Sequence, residues 1–376
     1  MSIGFKIESS DGAARVAKVT THHGNYMTPA FMPVGTAATV KGMTPEALSR
    51  CGVQVLLANT YHLMLRPGAG RVARLGGVGK MMSWPGPVLT DSGGYQVMSL
   101  AKLRNLSEEG VDFQSHIDGD RYMLSPEKSV SLQHDLNSTI TMALDECTPF
   151  PASENEAATS MRLSMRWAKR CKQKYSTRPG YGIFGIVQGG MYPDLRAESV
   201  ESLLEVNFDG YAIGGLAVGE GAQLMRDITA HTVSLLPTHK PRYLMGVGRP
   251  VDLVEAAAAG CDMFDCVLPT RSGRNGQCFT SRGVVNIRNS RHKDDPRSLD
   301  ETCSCPTCLG YSRAYLHHLI QAKEMLGGVL LTWHNLFHYQ TVMADIRSAI
   351  GTGQMQKFRE DFARCQLQGD IDPPED

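Results

Sequence analysis

No apolar run in this 376-residue sequence approaches the roughly 20 residues that a membrane-spanning helix needs. The opening stretch MSIGFKIESSDGAARVAKV lacks the pattern of a secretion signal. A cytosolic protein with no membrane partner is therefore expected. Net charge is missing too: 38 Lys and Arg balance 38 Asp and Glu, which on average argues against a nucleic-acid partner. Short repeats are absent, as are low-complexity tracts, apart from the acidic, proline-containing end DIDPPED. The 10 cysteines are scattered through a long chain instead of framing a short one, which favours reduced thiols or metal ligands over disulfides.

What is present is an ordinary globular composition, 42% hydrophobic and 20% charged. The length suits one large domain with a small appendage, a size that α/β barrels with insertions reach. Apolar, β-branched segments occur at 30–35, 53–60, 87–94, 139–146, 182–190, 210–217, 242–248 and 263–270. Helix-forming stretches lie between them at 44–51, 68–75, 126–136, 153–176, 194–206, 222–236 and 250–259, the fourth opening with Ser153 and Glu156 in capping-box spacing. Eight strands alternating with helices predict a closed α/β fold, a (β/α)8 TIM barrel with insertions, and Cys303, Cys305 and Cys308 beyond it predict a C-terminal zinc-binding subdomain. The expected divisions are a barrel over 1–290, the zinc subdomain over 291–345, and a C-terminal helix and acidic tail over 346–376.

Polar residues recur where those strands end. Asp91, Asp145, Gln188, Gly214, Gly215, Gly246 and Asp265 all fall at or near C-terminal strand ends, which in a barrel converge on the catalytic face. Asp265 stands in the apolar run CDMFDCVLP, where a carboxylate loses hydration and needs either a partner or a reaction. Paired carboxylates across a ring suit chemistry at a glycosidic carbon, and a third could accept the adjacent N–H donors of a guanine edge. From Cys266 to Lys293 come six basic residues, Arg271, Arg274, Arg282, Arg288, Arg291 and Lys293, and no acidic one. They form either a local basic surface or a solvated loop whose counter-charges arrive from elsewhere in the fold.

Downstream, Cys303, Cys305 and Cys308 offer three thiolates within six residues. Tetrahedral zinc then needs a fourth ligand from His317, His318, His334 or His338, and we choose His334 because a helix over roughly 311–326 can leave and return before it. With four protein ligands the metal is read as structural.

Together, DSGGYQV (91–97), MALDECTP (142–149), GIVQGG (185–190), AIGGLAVGE (212–220), YLMGVG (243–248), FDCVLPTRSGRNG (264–276) and the CSCPTC and WHN segments resemble bacterial tRNA-guanine transglycosylase, also called queuine tRNA-ribosyltransferase. The resemblance runs in order from about Phe5 to Arg364. It implies exchange of guanine at the wobble position of GUN-anticodon tRNAs (Asp, Asn, His, Tyr) for 7-aminomethyl-7-deazaguanine, preQ1. By this resemblance Asp265 is the nucleophile and Asp91 the proton acceptor. Ser92, Gly93, Gly94, Asp145, Cys147, Gln188, Gly214, Gly215, Leu216 and Val218 match the base-binding set, with Tyr95 and Met245 as stacking walls. Gly246, Val247, Gly248, Arg249, Pro250, Thr270, Arg271 and Arg274 match segments that hold RNA. A homodimer is also implied, and Tyr311, Tyr315 and His318 recur at i, i+4 and i+7 as a stripe that is either core or interface. Two other classes are set against this reading. A non-catalytic RNA-binding subunit would lack the aspartate found at 265, and a zinc-dependent barrel hydrolase would need metal ligands at strand ends.

Overall fold

All eight apolar segments form strands, each no longer than its apolar run. In the computed structural model, which describes residues 2–100 and 103–373, they are Ala30–Gly35, Leu56–Ala58, Val88–Thr90, Ile140–Met142, Gly182–Val187, Gly210–Ile213, Arg242–Leu244 and Met263–Cys266. Every neighbouring pair is parallel, and the eighth strand returns to the first in a register that sets Asp265 beside Met32, so the barrel closes. Strands covered on both faces read as continuous apolar runs, which is why they were visible in sequence. The expected helices follow, among them Glu154–Lys174, whose Ser153 and Glu156 form the reciprocal capping box.

One apolar cluster fills the barrel interior, with Met32, Leu57, Leu89, Met142, Ile186, Ala212, Tyr243 and Met263 all buried. Three antiparallel strands absent from the sequence reading, Gly4–Asp11, Ala14–Thr21 and Gly24–Thr28, close the end opposite the carboxylates. Val19 and Tyr26 from this sheet join the interior cluster, and Ile3 and Phe5 pack against it. A buried ion pair fastens the sheet to the barrel: Arg15 donates to both carboxylate oxygens of Asp262 at 2.9 and 2.6 Å, and Asp262 also accepts the Arg242 N–H at 2.7 Å.

Two other elements went unread. A three-stranded antiparallel sheet, Arg104–Leu106, Val111–Gln114 and Arg121–Leu124, is inserted after the third barrel strand. Its only signal is the short alternation VDFQ, with Val111 and Phe113 buried. The expected helix over 311–326 is shorter, Arg313–Gln321, because Lys323 turns the chain with a φ of +59°. A 27-residue helix, Met325–Gly351, then runs unbroken past residue 345. It lies along the barrel, where Gln340 donates to the Phe31 carbonyl at 3.0 Å and Arg347 to the Pro29 carbonyl at 2.7 Å. Residues 374–376 of the acidic tail lie outside the described residues. Among the described residues no helix is long and apolar enough to cross a membrane.

Because removing one member of a buried pair strands the other charge, Arg15→Met should destabilise the fold by about 3–5 kcal/mol in denaturant titration. Wild-type stability in that variant would show that the pair does not hold the sheet in place.

Candidate active site and metal centre

The C-terminal ends of the strands surround a cavity of about 450 Å³. Asp91, Ser92, Tyr95, Asp145, Cys147, Gln188, Gly214, Gly215, Leu216, Val218, Met245, Gly246, Asp265 and Arg271 all line it. Residues as far apart as Asp91 and Arg271 are thus brought together by the closed barrel and the segments that follow its strands. Gly93 and Gly94 stand just behind the lining, where the Gly94 N–H reaches Ser92 Oγ at 3.2 Å. A Cβ on Gly94 would come within 2.5 Å of the Asp145 carbonyl, so only glycine allows this approach. Of the other segment residues, Arg249 and Arg274 are exposed, while Val247, Gly248, Pro250 and Thr270 are buried and present no side chain to a large ligand.

Each carboxylate is held differently. Asp265 accepts two hydrogen bonds, from the Tyr243 hydroxyl at 2.6 Å and the Gly246 N–H at 2.9 Å, and both fall on Oδ1. Burial raises its pKa above the usual carboxylate value, against the lowering effect of those two bonds. Asp91 accepts from the Asn59 side-chain amide and, at 2.8 Å, from the Thr60 N–H. Its pKa is pushed up to about 6, chiefly by burial, with the charge of Asp265 acting in the same direction. Asp145 accepts from Gln188 Nε2 at 2.7 Å and Ser92 Oγ at 3.2 Å, and burial also pushes it up to about 6. The cavity therefore holds one carboxylate braced on a single oxygen and two that burial pushes up to about 6.

Sequence reasoning missed the groups that brace these acids. Tyr243 lies inside the seventh strand and reads as core, and Asn59 and Thr60 follow the second strand without any motif. Glu220 was quoted within AIGGLAVGE but assigned nothing. Its carboxylate accepts the backbone N–H groups of Ala217, Val218 and Gly219 at 2.5, 2.8 and 3.0 Å, and so shapes the loop that carries Leu216 and Val218.

The basic stretch divides. Arg282 donates to the Gly369 carbonyl at 3.3 Å, and Arg291 donates to the Ile371 carbonyl and lies 3.9 Å from the Asp370 carboxylate. Counter-charge from the C-terminal segment thus accounts for part of the run. Arg271 and Arg274, on the short helix Leu268–Arg274 that follows Asp265, are exposed beside the cavity.

The metal-ligand cluster is compact. His334 Nδ1 lies 3.7, 3.5 and 3.3 Å from the sulfurs of Cys303, Cys305 and Cys308. A tetrahedral ion with bonds of about 2.3 Å to sulfur and about 2.0 Å to nitrogen separates such ligand atoms by roughly 3.6 Å, so the four residues fit one. His334 Nε2 meets the Phe279 carbonyl at 2.8 Å, which leaves the Nδ1 lone pair for a metal. His317 turns instead to the Ile287 carbonyl at 2.7 Å, and His318 is exposed. The next residue, Asn335, accepts the Phe279 N–H at 3.0 Å and donates to the Pro269 and Gln277 carbonyls at 2.9 and 3.1 Å. The cluster stands outside the barrel, and among the described residues no other group of metal ligands forms.

A family model described as queuine tRNA-ribosyltransferase matches residues 10–367. The chain belongs to that family. Proteins named queuine tRNA-ribosyltransferase from Ruegeria sp. (strain TM1040) and Cereibacter sphaeroides (strain ATCC 17029 / ATH 2.4.9) are 56% and 57% identical to it over 369 residues, covering 98% of each chain. One of the same name from Rickettsia bellii (strain OSU 85-389) is 56% identical over 350 residues, covering 93% of this chain and 97% of its own. Membership makes the chain a glycosyltransferase of the pentosyl-transferring kind.

Metal analysis should find less bound metal in His334→Ala than in the wild-type chain, together with a lower melting temperature, since a structural ion contributes folding energy directly. Full occupancy in that variant would remove His334 from the ligand set.

Proposed function

We propose that this chain replaces guanine at the wobble position of GUN-anticodon tRNAs with preQ1, through a covalent bond between Asp265 and the tRNA, as a step of queuosine synthesis. The observation that carries this reading is the half-buried Asp265 carboxylate, braced on Oδ1 by Tyr243 and Gly246, in one cavity with Asp91 and Asp145. An oxygen of Asp265 attacks the anomeric carbon as the bond to guanine N9 breaks, and guanine leaves with that electron pair and takes up one proton from solvent. The incoming base gives its N9 proton to Asp91, attacks the same carbon, and displaces Asp265. Two displacements on opposite faces retain the sugar configuration. Asp91, with a pKa near 6, can both hold and release a proton at neutral pH.

Asp145 would accept the two adjacent N–H donors of the base, with Gln188, Gly215 and Leu216 completing its recognition and Tyr95 and Met245 as its walls. Arg249, Arg271 and Arg274 would hold the distorted anticodon loop around the extruded base, alongside the backbone of Gly246–Pro250 and Thr270. The ion at Cys303, Cys305, Cys308 and His334 we take to be one structural zinc. When bound it would tie the cysteine loop to the long helix, and it takes no part in the exchange. For the homodimer the support is an aromatic ladder that emerges at the surface: half-buried Tyr311 and exposed Tyr315 stack at 5.6 Å, and exposed His318 continues the stack at 6.5 Å. The cytoplasm, where tRNA is modified, would be its location, and the divisions at 290 and 345 belong to the same reading.

Denaturing electrophoresis of the chain mixed with tRNA should trap a protein–RNA adduct that Asp265→Asn does not form. An adduct from the Asn variant would sink the nucleophile assignment.

The pH profile follows from the raised carboxylates. Asp91 must be ionised to take the N9 proton and Asp145 to accept the two N–H donors of the base, and protonation of a group near 6 removes that form as pH falls through it. Activity on tRNA should therefore drop on the acid side with a midpoint near 6. A flat profile down to pH 5 would contradict these roles.

Val218 lines the cavity and sets the choice of base. Its side chain fills space that the cyclopentenediol of queuine would need, and overpacking of this kind costs about 1–3 kcal/mol, or roughly 5- to 160-fold in affinity. The preQ1 ammonium would find an acceptor in the Leu216 carbonyl. In competition with labelled guanine, preQ1 should outcompete queuine, and Val218→Gly should narrow the gap. Equal inhibition by both bases in the wild-type chain would overturn this assignment.

A further inference from the structure

Arg196 occupies a place where a cation is costly. It stands in the first turns of the helix Pro193–Val206, where the helix dipole disfavours positive charge, and its side chain is fully buried. Desolvation pulls its pKa down to about 10, which still leaves it charged at neutral pH. Among the described residues its guanidinium hydrogen-bonds only to main-chain carbonyls: Nε to Gly190 at 3.0 Å, and Nη1 to Val187 at 3.1 Å and Gly214 at 2.8 Å.

The Val187 carbonyl ends the fifth barrel strand immediately before Gln188, and the Gly214 carbonyl follows the sixth immediately before Gly215. Three residues on, along the same helix face, Ser199 Oγ accepts the Gln188 N–H at 3.1 Å. Gly215 has a φ of +67°, and a Cβ there would lie 2.5 Å from Gln188 Oε1 and 3.6 Å from Arg196 Nη2. Both of those atoms are buried without a hydrogen-bond partner. The loop from Gly214 to Gly219 is thus gripped at its start by a cation and at its end by the Glu220 carboxylate, with Leu216 between them.

We propose that Arg196 is a positioning residue for base recognition: its planar fork fixes the Val187 and Gly214 carbonyls, so that the Gln188 side chain and the Gly215–Leu216 backbone face the base. This rests on the base-exchange reading given above. A lysine cannot substitute for it, because an ammonium offers its donors from one point whereas here two nitrogens of one plane reach three carbonyls.

The test is incorporation of labelled guanine at saturating tRNA by Arg196→Lys and Arg196→Gln, with melting temperatures and the denaturing-gel adduct measured alongside. In a folded variant the KM for guanine should rise about tenfold or more while kcat stays within about threefold, and the Asp265 adduct should still form. An unchanged KM in a folded variant, or a loss confined to kcat, would overturn the proposal. Failure of both variants to fold would do the same, since a scaffold role would then suffice. A wild-type chain that incorporates no guanine would sink the base-exchange reading itself, and this one with it.

Discussion

The register of the helix Met325–Gly351 on the barrel is the constraint on which the site's outer parts depend. Within 14 residues it carries a metal ligand, His334, the anchor Asn335, Tyr339, whose hydroxyl bonds the Gly248 carbonyl, and Gln340 and Arg347, which bond the first barrel strand and its approach. At 1.5 Å per residue those positions span about 20 Å. A slip of one residue would rotate every one of these groups by roughly 100° and break them together. The short helix Leu268–Arg274 is seated against the same rod: a Cβ on Gly273 would come within 2.7 Å of the Thr332 nitrogen. The helix thus seats the segment after Asp265, and that segment places Arg271 at the cavity with Arg274 exposed one turn on.

Inside the cavity the governing effect is desolvation. Burial raises all three aspartates, and the hydrogen bonds each accepts restrain the rise. A fold gains nothing in stability from three desolvated acids in one cavity, and such groups concentrate where chemistry is done. The bracing is uneven in a useful way. Bonds to one oxygen of Asp265 hold the group still, whereas Asp145 is engaged on both oxygens and is set up to recognise a partner.

How much of this was legible followed from physical context. The eight barrel strands were readable because burial on both faces leaves an unbroken apolar signature, and the terminal aspartates stood out against it. The metal ligands were readable because three cysteines in six residues are rare outside metal sites. The sheet at the barrel floor was not, because its polar outer face dilutes the alternation, and GFKIESSD is mostly exposed. The long helix was missed because it is apolar nearly all round, so no single stripe marks it. Tyr243 and Arg196 act through contacts with residues 22 and 18 positions away, which no local pattern records. The basic run gave a mixed answer, since Arg282 and Arg291 turn to the C-terminal segment and only part of the run faces the cavity.

The sealed floor has a consequence for traffic. Val19 and Tyr26 join the packed interior, with Ile3 and Phe5 against it, so nothing passes along the barrel axis. On the proposed reaction, both bases and the tRNA must then share one face of the molecule. The departing base has to vacate the cavity before its successor can occupy it, and it must do so past an RNA that is covalently tethered at the doorway. The covalent bond is what makes this turn-taking possible, because it keeps the tRNA in place, and its sugar chemically committed, through the interval when the cavity contains no base at all.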